Sequence, residues 1–457
     1  MKKTEIKKII EVMQGTLLFG DGSGTVTGVS KDSRDEIGAD DIFFAIAREK
    51  DGHDFIHQAL SKGVRNFVVS RDYKESFGDG INVIKVGDVD YALQELAKWY
   101  KCELGIPTIG VAGSVGKTTT KDILHAIFSE KYNTKKTEGS QNNEIGIPLT
   151  ILSFDENTEV GIIETGIEYV GEMLRLVDVA RPDIAIITNI GISHLASFGT
   201  RENIFKGEFQ ITEFFGKDNL LIVNEESDFL SAENVAGDYR LITVGKSGKS
   251  NYIISDIKDF GEKGVEFTLE VNKEIHHFKL NIPGRHNAEN ATLAIAAAVD
   301  MGISMEEAAR GLLKVELSQN RLDIKGKNGI KVINDTYNAS VDSMKAGIDL
   351  LVSTKGIRKV AIFGDMFDLG EGSAKFHEQV GEYAASQNID LVIATGEMSK
   401  HIYEKAKELL GEDRAIYFDT RDKLEAEIRK IIACGDVVLV KGSRGMKMEN
   451  VVHKILE

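Results

Sequence analysis

At 457 residues the chain is too long for one ordinary core, so two or three domains are expected. Hydrophobic residues make up 42% and charged residues 28%, the balance of a soluble globular protein, and no apolar run approaches the roughly 20 residues that span a bilayer. A formal net charge of −16 argues against broad adhesion to nucleic acid, which needs clustered Lys and Arg, but leaves room for a small phosphorylated ligand held by a few local donors.

The first ten residues mix charge into their apolar positions and show no signal-peptide core or cleavage site. They read as an amphipathic helix of a mature cytoplasmic protein. The two cysteines, Cys102 and Cys434, lie far apart in no metal-ligand spacing. Free thiols in a reducing cytosol are the expectation, with a structural disulfide as the alternative. Residues 1–104 carry short strand and helix signals around the polar cluster Asp32-Ser33-Arg34. A buried strand is expected near 40–47, then Asp51-Gly52-His53, a helix near 55–62 and another near 92–101. Gly105-Ile106-Pro107 marks a boundary.

From Thr108 the pattern becomes strand, glycine loop and helix, repeated. Strands are expected at 108–112, 160–164, 184–188 and 220–223, and helices at 119–131 and 288–301. Such alternation predicts a mostly parallel sheet covered on both faces over residues 105–316. It restarts beyond 317, with strands expected at 331–334, 359–363, 390–394, 415–418 and 436–440. That pattern predicts a small doubly wound, Rossmann-like domain over 317–457. The fold class is therefore α/β in three domains.

The sharpest motif is Gly113-Ser114-Val115-Gly116-Lys117-Thr118-Thr119-Thr120, between an expected strand and helix. Backbone N–H groups in such a loop, with the helix N-terminus, cradle phosphate oxygens. Lys117 can neutralise the outer phosphates and Thr118 can ligate Mg²⁺. The usual spacing would place the first glycine at 111, where this chain has Val111. A plain glycine-rich turn is the competing reading. The strand 160–164 ends in Glu164, and strand ends in a parallel sheet converge on ligand, so Glu164 can face the same metal. Elsewhere a strand-terminal glutamate is usually a solvated surface group.

Thr188-Asn189-Ile190-Gly191-Ile192-Ser193-His194 follows another strand and offers His194 as a second metal or substrate contact, against the commoner structural histidine. Gly284-Arg285-His286-Asn287-Ala288-Glu289-Asn290 opens a helix with polar groups for a nucleotide, or merely caps it through Asn287. Beyond 317, polar loops at 334–339, 363–366 and 440–445 end three strands and suggest one binding edge.

Together these motifs, in this order, resemble the Mur ligases, which add amino acids to the peptidoglycan precursor for the cell wall, and among them those that add D-alanyl-D-alanine. By that resemblance the chain is an ATP-dependent amide ligase, taking a UDP-linked muramoyl tripeptide and D-alanyl-D-alanine and working with Mg²⁺ as a monomer. Ser33 and Arg34 would belong to the UDP-binding domain, and Asn142 and Asn143 to the substrate site. Lys117, Thr118, Glu164 and His194 would belong to the central ATPase. Asn287 and Asn290 would sit near the nucleotide, and Arg321 and Asp335 would clamp ATP from the last domain. Where the family places a carbamylated lysine, fourteen residues after the histidine, this chain has Glu208, which would share a second Mg²⁺ with His194. Two alternatives stand beside this reading. One is a paralogous ligase joining another amino acid or peptide to another carboxylate, suggested by departures at Ser140, Asn334, Ser340 and Glu208. The other is a nucleotide-binding regulatory module without ligase chemistry, against which Lys117, Thr118, Glu164 and His194 argue.

Overall fold

The structure, a computed structural model, describes residues 1–73 and 77–457. Its strands gather into sheets of five, nine and six, with one further two-strand pair. The first sheet runs Thr16–Phe19, Asn82–Lys85, Asn66–Val69, Asp41–Phe44 and Gly28–Ser30, parallel except for the Thr16–Phe19 edge. The expected N-terminal helix forms over Ile6–Val12 and buries Ile6 and Ile9.

In the nine-stranded sheet, Thr108–Ala112 lies between Ile184–Ile187 and Val160–Glu164, all parallel. These strands are fully buried, which explains why they read as continuous apolar runs rather than as alternating ones. Their register pairs Glu164 with Val111 and Ile187 with Ala112. Glu164, the loop at 113 and the segment at 188 therefore leave the sheet side by side. At the far edge the sheet turns antiparallel through Tyr252–Asp259, Val265–Val271 and Glu274–Leu280. This hairpin extension was not among the expected strands.

Lys117–Phe128 is helical and begins two residues before the expected start, because Gly116, at φ 88°, serves as its N-cap. The alanine-rich helix His286–Asp300 packs beside it. The last sheet has six strands, one more than expected. Asp323–Lys327 adds antiparallel to Ile330–Asp335, followed by Asp436–Lys441, Arg358–Phe363, Leu391–Thr395 and Ala415–Phe418, all parallel.

The first and second sheets share a core. Helix Val89–Leu104 lays Leu93, Leu96 and Tyr100 against helices Gly146–Ser153 and Glu172–Ala180, and the Tyr100 hydroxyl donates to the Phe154 carbonyl at 2.8 Å. Cys102 and Cys434 are both free and exposed. Among the described residues no helix is long and apolar enough to cross a membrane.

Candidate nucleotide-binding active site

A cavity of about 580 Å³ opens where the carboxyl ends of the central strands meet the last sheet. Its floor is the loop 114–119. Gly113 and Gly116 take φ of 121° and 88°, values an L-residue rarely adopts, which turn the loop back onto the helix start. A Cβ at Gly116 would also come within 3.0 Å of Asn290 Oδ1, so the approach of the Asn290 amide needs glycine there. Lys117 Nζ donates to the Gly113 carbonyl at 2.5 Å, folding the ammonium over the cradle.

Asn189 clamps the loop from the neighbouring strand. Its Oδ1 accepts from Val115 N–H at 3.1 Å and its Nδ2 donates to the Val115 carbonyl at 2.9 Å. Sequence reasoning passed over Asn189 although it stands within a motif already singled out; its place immediately after a buried strand was the available signal.

Thr118 and Glu164 meet as the sheet register requires. The Thr118 hydroxyl donates to Glu164 Oε1 at 3.1 Å, and Asn142 Nδ2 donates to the same oxygen at 3.0 Å. Glu164 Oε2 is buried and accepts no hydrogen bond among the described residues. Oε1 and the Thr118 hydroxyl, hard oxygens side by side on the cavity wall next to a phosphate loop, are the kind of donors that Mg²⁺ takes, so these residues fit the metal.

His194 also lines the cavity, held at φ 57° at the start of the short helix Leu195–Phe198, with Nδ1 3.8 Å from Asp368 Oδ2. Burial, then the charge of Lys117, lowers its pKa and favours the neutral ring. Asn143, Asn290, Arg321 and Asp335 complete the wall from the expected set. Arg321 stacks over Tyr337, its guanidinium carbon 4.1 Å from the ring centre. Asp335 faces Lys441 in register, and their side chains pair at 2.5 Å in a buried setting. The last sheet thus brings an aromatic-backed arginine and a buried ion pair to the rim opposite the loop.

Five expected residues stand off the wall, one of them Gly113, whose N–H is turned back to Glu208. Asn287 is wholly buried and accepts from Asn290 Nδ2 at 3.0 Å, so it orients Asn290. Glu208 lies behind the loop, where its carboxylate accepts from Gly113 N–H at 3.0 Å. Burial pushes its carboxyl pKa up, opposed by the charge of Lys117 and the Gly113 amide. Ser33 and Arg34 belong to the first sheet's region. The Ser33 hydroxyl donates to Gln58 at 2.8 Å, while Arg34 chelates Asp32 and holds its carboxyl down at about 2.

Known proteins resemble this chain over its whole length. Residues 111–298 match the Mur ligase middle domain, and residues 320–444 match the domain described as Mur ligase, glutamate ligase domain. The UDP-N-acetylmuramoyl-tripeptide–D-alanyl-D-alanine ligase of Bacillus subtilis is 37% identical over 100% of this chain and 99% of its own length. That of Escherichia coli is 30% identical over the same shares. A crystal structure of MurF from Acinetobacter baumannii superposes with a TM-score of 0.89 at 26% identity, covering 100% of this chain and 99% of the other. MurF ligase from Thermotoga maritima in complex with ADP gives 0.80 at 26% identity, covering 94% and 97%. The chain belongs to the Mur ligase family, alongside the MurF ligases.

Proposed function

We propose that this chain joins D-alanyl-D-alanine to UDP-N-acetylmuramoyl tripeptide, using ATP through an acyl phosphate, in the cytoplasmic synthesis of peptidoglycan precursor. The observation that carries this reading is the shared cavity. The phosphate loop and Glu164 enter it from one sheet and Arg321 and Asp335 from another, in a chain aligned end to end with named D-alanyl-D-alanine ligases. In this reading residues 1–104 receive the UDP-linked substrate through the Ser33–Arg34 region, residues 105–316 hold ATP, and residues 317–457 close over it.

A carboxylate resists amine attack because it is already anionic and would have to expel oxide. Transfer of the γ-phosphoryl group converts that oxygen into a phosphate leaving group. The amine then adds, and the tetrahedral intermediate collapses to amide and phosphate. Lys117 neutralises the meeting anions and the loop amides hold the phosphates. Thr118 and Glu164 would hold Mg²⁺, with His194 at a second ion, and bound metal would supply further charge neutralisation to the phosphoryl oxygens. Neutral His194 can also accept a hydrogen bond from substrate. Arg321 and Asp335 orient the nucleotide from the closing side, so turnover follows domain motion. The chain acts as a monomer away from the membrane.

ADP release is the test. It should require the UDP-muramoyl tripeptide and D-alanyl-D-alanine together. A panel of other UDP-muramoyl peptides and amines that turned over faster would replace this pair, and ADP release without any amine would end the ligase reading.

A further inference from the structure

Lys121 lies one turn beyond Lys117 on helix Lys117–Phe128 and has no exposed surface. Its Nζ stands 3.6 Å from Glu164 Oε2 and 3.7 Å from Asp122 Oδ1, without a hydrogen-bond acceptor in reach among the described residues. A buried ammonium is costly unless compensated. Here two carboxylates compensate it, and it is a counter-charge shared between them. Asp122 is equally buried. Its Oδ1 receives Lys136 Nζ at 2.7 Å, and its Oδ2 receives both the backbone N–H and the hydroxyl of Ser318, each at 2.8 Å.

Ser318 belongs to the segment joining helix Met305–Leu312 to strand Asp323–Lys327, the passage from the second sheet to the third. Three residues later comes Arg321 on the cavity wall. One continuous path of buried charge therefore runs from Glu164 through Lys121 and Asp122 to the segment that carries Arg321.

We propose that Lys121 and Asp122 form a relay that sets the Glu164 carboxylate and the interdomain segment together, with Lys121 as the positioning residue for Glu164 and Asp122 as the clasp for Ser318. The proposal rests on the assignment of Glu164 to Mg²⁺. A purely structural role for Asp122 is already met by Lys136 and Ser318. A second buried cation adds nothing to it that an apolar side chain of similar volume could not replace. What Lys121 adds is dependence. Without it, Glu164 loses the cation beside Oε2 and Asp122 keeps only Lys136, so the two carboxylates repel across the vacated space and the hold of Asp122 on Ser318 weakens. Any ligand that draws on the Glu164 carboxylate shifts how Lys121 divides itself between its partners. By linkage, the segment and the site bias each other by the same factor.

Two variants test this. In the ligand-free protein, Lys121→Met should speed hydrogen–deuterium exchange across residues 313–322 by about tenfold, the scale of losing one charge-assisted hydrogen bond, with circular dichroism unchanged. Ser318→Ala keeps the N–H donor and loses only the hydroxyl. It should raise the Mg²⁺ concentration needed for half-maximal ADP binding by about threefold, while leaving ADP binding in EDTA as in the wild type. Wild-type exchange in a folded Lys121→Met protein overturns the relay. If Lys121→Met does not fold, Ser318→Ala decides alone, and an unchanged Mg²⁺ requirement overturns the proposal. Glu164→Gln separates the underlying reading. If that variant binds ADP with the wild-type Mg²⁺ dependence, the metal assignment fails and takes the functional half of the relay with it. A changed dependence there, with unchanged exchange in Lys121→Met, condemns the relay only.

Discussion

The backbone N–H of Gly113 donates to Glu208 Oε2 at 3.0 Å, tying the first residue of the phosphate loop to a buried carboxylate 95 positions further along the chain. The carboxylate fixes the loop amide and offsets the charge of Lys117 from behind. Glu208→Gln keeps an acceptor of the same shape and removes the charge. It should lower turnover about tenfold, the scale of one charge-assisted hydrogen bond, and raise the Mg²⁺ requirement. Removal of CO₂ or addition of bicarbonate should change nothing, since glutamate needs no carbamylation. A Mg²⁺ titration of the variant that overlays the wild type would remove Glu208 from the site. Recovery of a CO₂-stripped enzyme by bicarbonate would move the family's carbamate to a lysine elsewhere. Lys206 is a poor candidate, being exposed and paired with Glu202 at 2.8 Å.

Lys117→Ala should leave the fold intact, because the side chain touches the loop carbonyl and the cavity and not the core. The barrier should rise by ~3–4 kcal/mol, the scale of losing one transition-state donor. Circular dichroism and ADP release, measured on one preparation, check this. Near-normal turnover in the folded variant would mean that another group neutralises the phosphates.

The meeting of the loop, Glu164 and His194 at one cavity was legible in the sequence because the loop follows one buried strand, Glu164 ends a second and His194 lies in the segment after a third, and a parallel sheet sends all such ends to one edge. The antiparallel extension was harder to read. Strand Tyr252–Asp259 carries exposed Ser255 and Asp256 within it. The turn between Val265–Val271 and Glu274–Leu280 places Asn272 and Lys273 at φ 53° and 71°. Both conformations suit a tight hairpin, but lysine is not the residue that usually announces one. Lys121 and Asp122 gave no signal either, since a charged pair in a helical pattern ordinarily faces water. Their burial follows from what packs over the helix, including the segment at Ser318, and no local window contains that. Glu208 was legible as a departure from a family pattern, yet only the fold shows that its oxygen is engaged by the loop amide.

Arg321 reaches the cavity from the last sheet's region, stacks on Tyr337 and leaves its buried Nε without a hydrogen-bond partner among the described residues. Arg321→Ala should raise the KM for ATP by about tenfold, or ~1.4 kcal/mol, with a smaller effect on protein stability. Small-angle scattering should show compaction of the wild type with an ATP analogue and the UDP-linked substrate, and less of it in the variant. A variant that compacts and turns over normally would make Arg321 a bystander on the wall.

His377 makes the protein's stability depend on pH in a direction the structure fixes. Its ring is fully buried. Nε2 accepts from Met366 N–H at 3.0 Å, and Nδ1 lies 2.7 Å from the Ser373 carbonyl, to which it donates. Both nitrogens are used by the neutral ring, and a proton on Nε2 would break the bond to Met366 at the end of strand Arg358–Phe363. Burial accordingly lowers the pKa from its ordinary 6.5, with the Ser373 carbonyl opposing. Above pH 6.5 both folded and unfolded chains hold a neutral ring, so the native bonds contribute in full. As pH falls below 6.5 the unfolded chain binds a proton that the folded chain refuses. Stability then drops by up to ~1.4 kcal/mol per pH unit from this group until the folded pKa is reached. Half-buried His125, His194 and His286 are shifted the same way and add to the slope. Thermal unfolding followed from pH 8 to 5 should show a falling midpoint beginning near 6.5, above the carboxylate range. His377→Gln, which has one acceptor oxygen and no proton to gain, should start from a lower midpoint and flatten part of that fall. A variant with the full wild-type slope would assign the effect to the other three histidines.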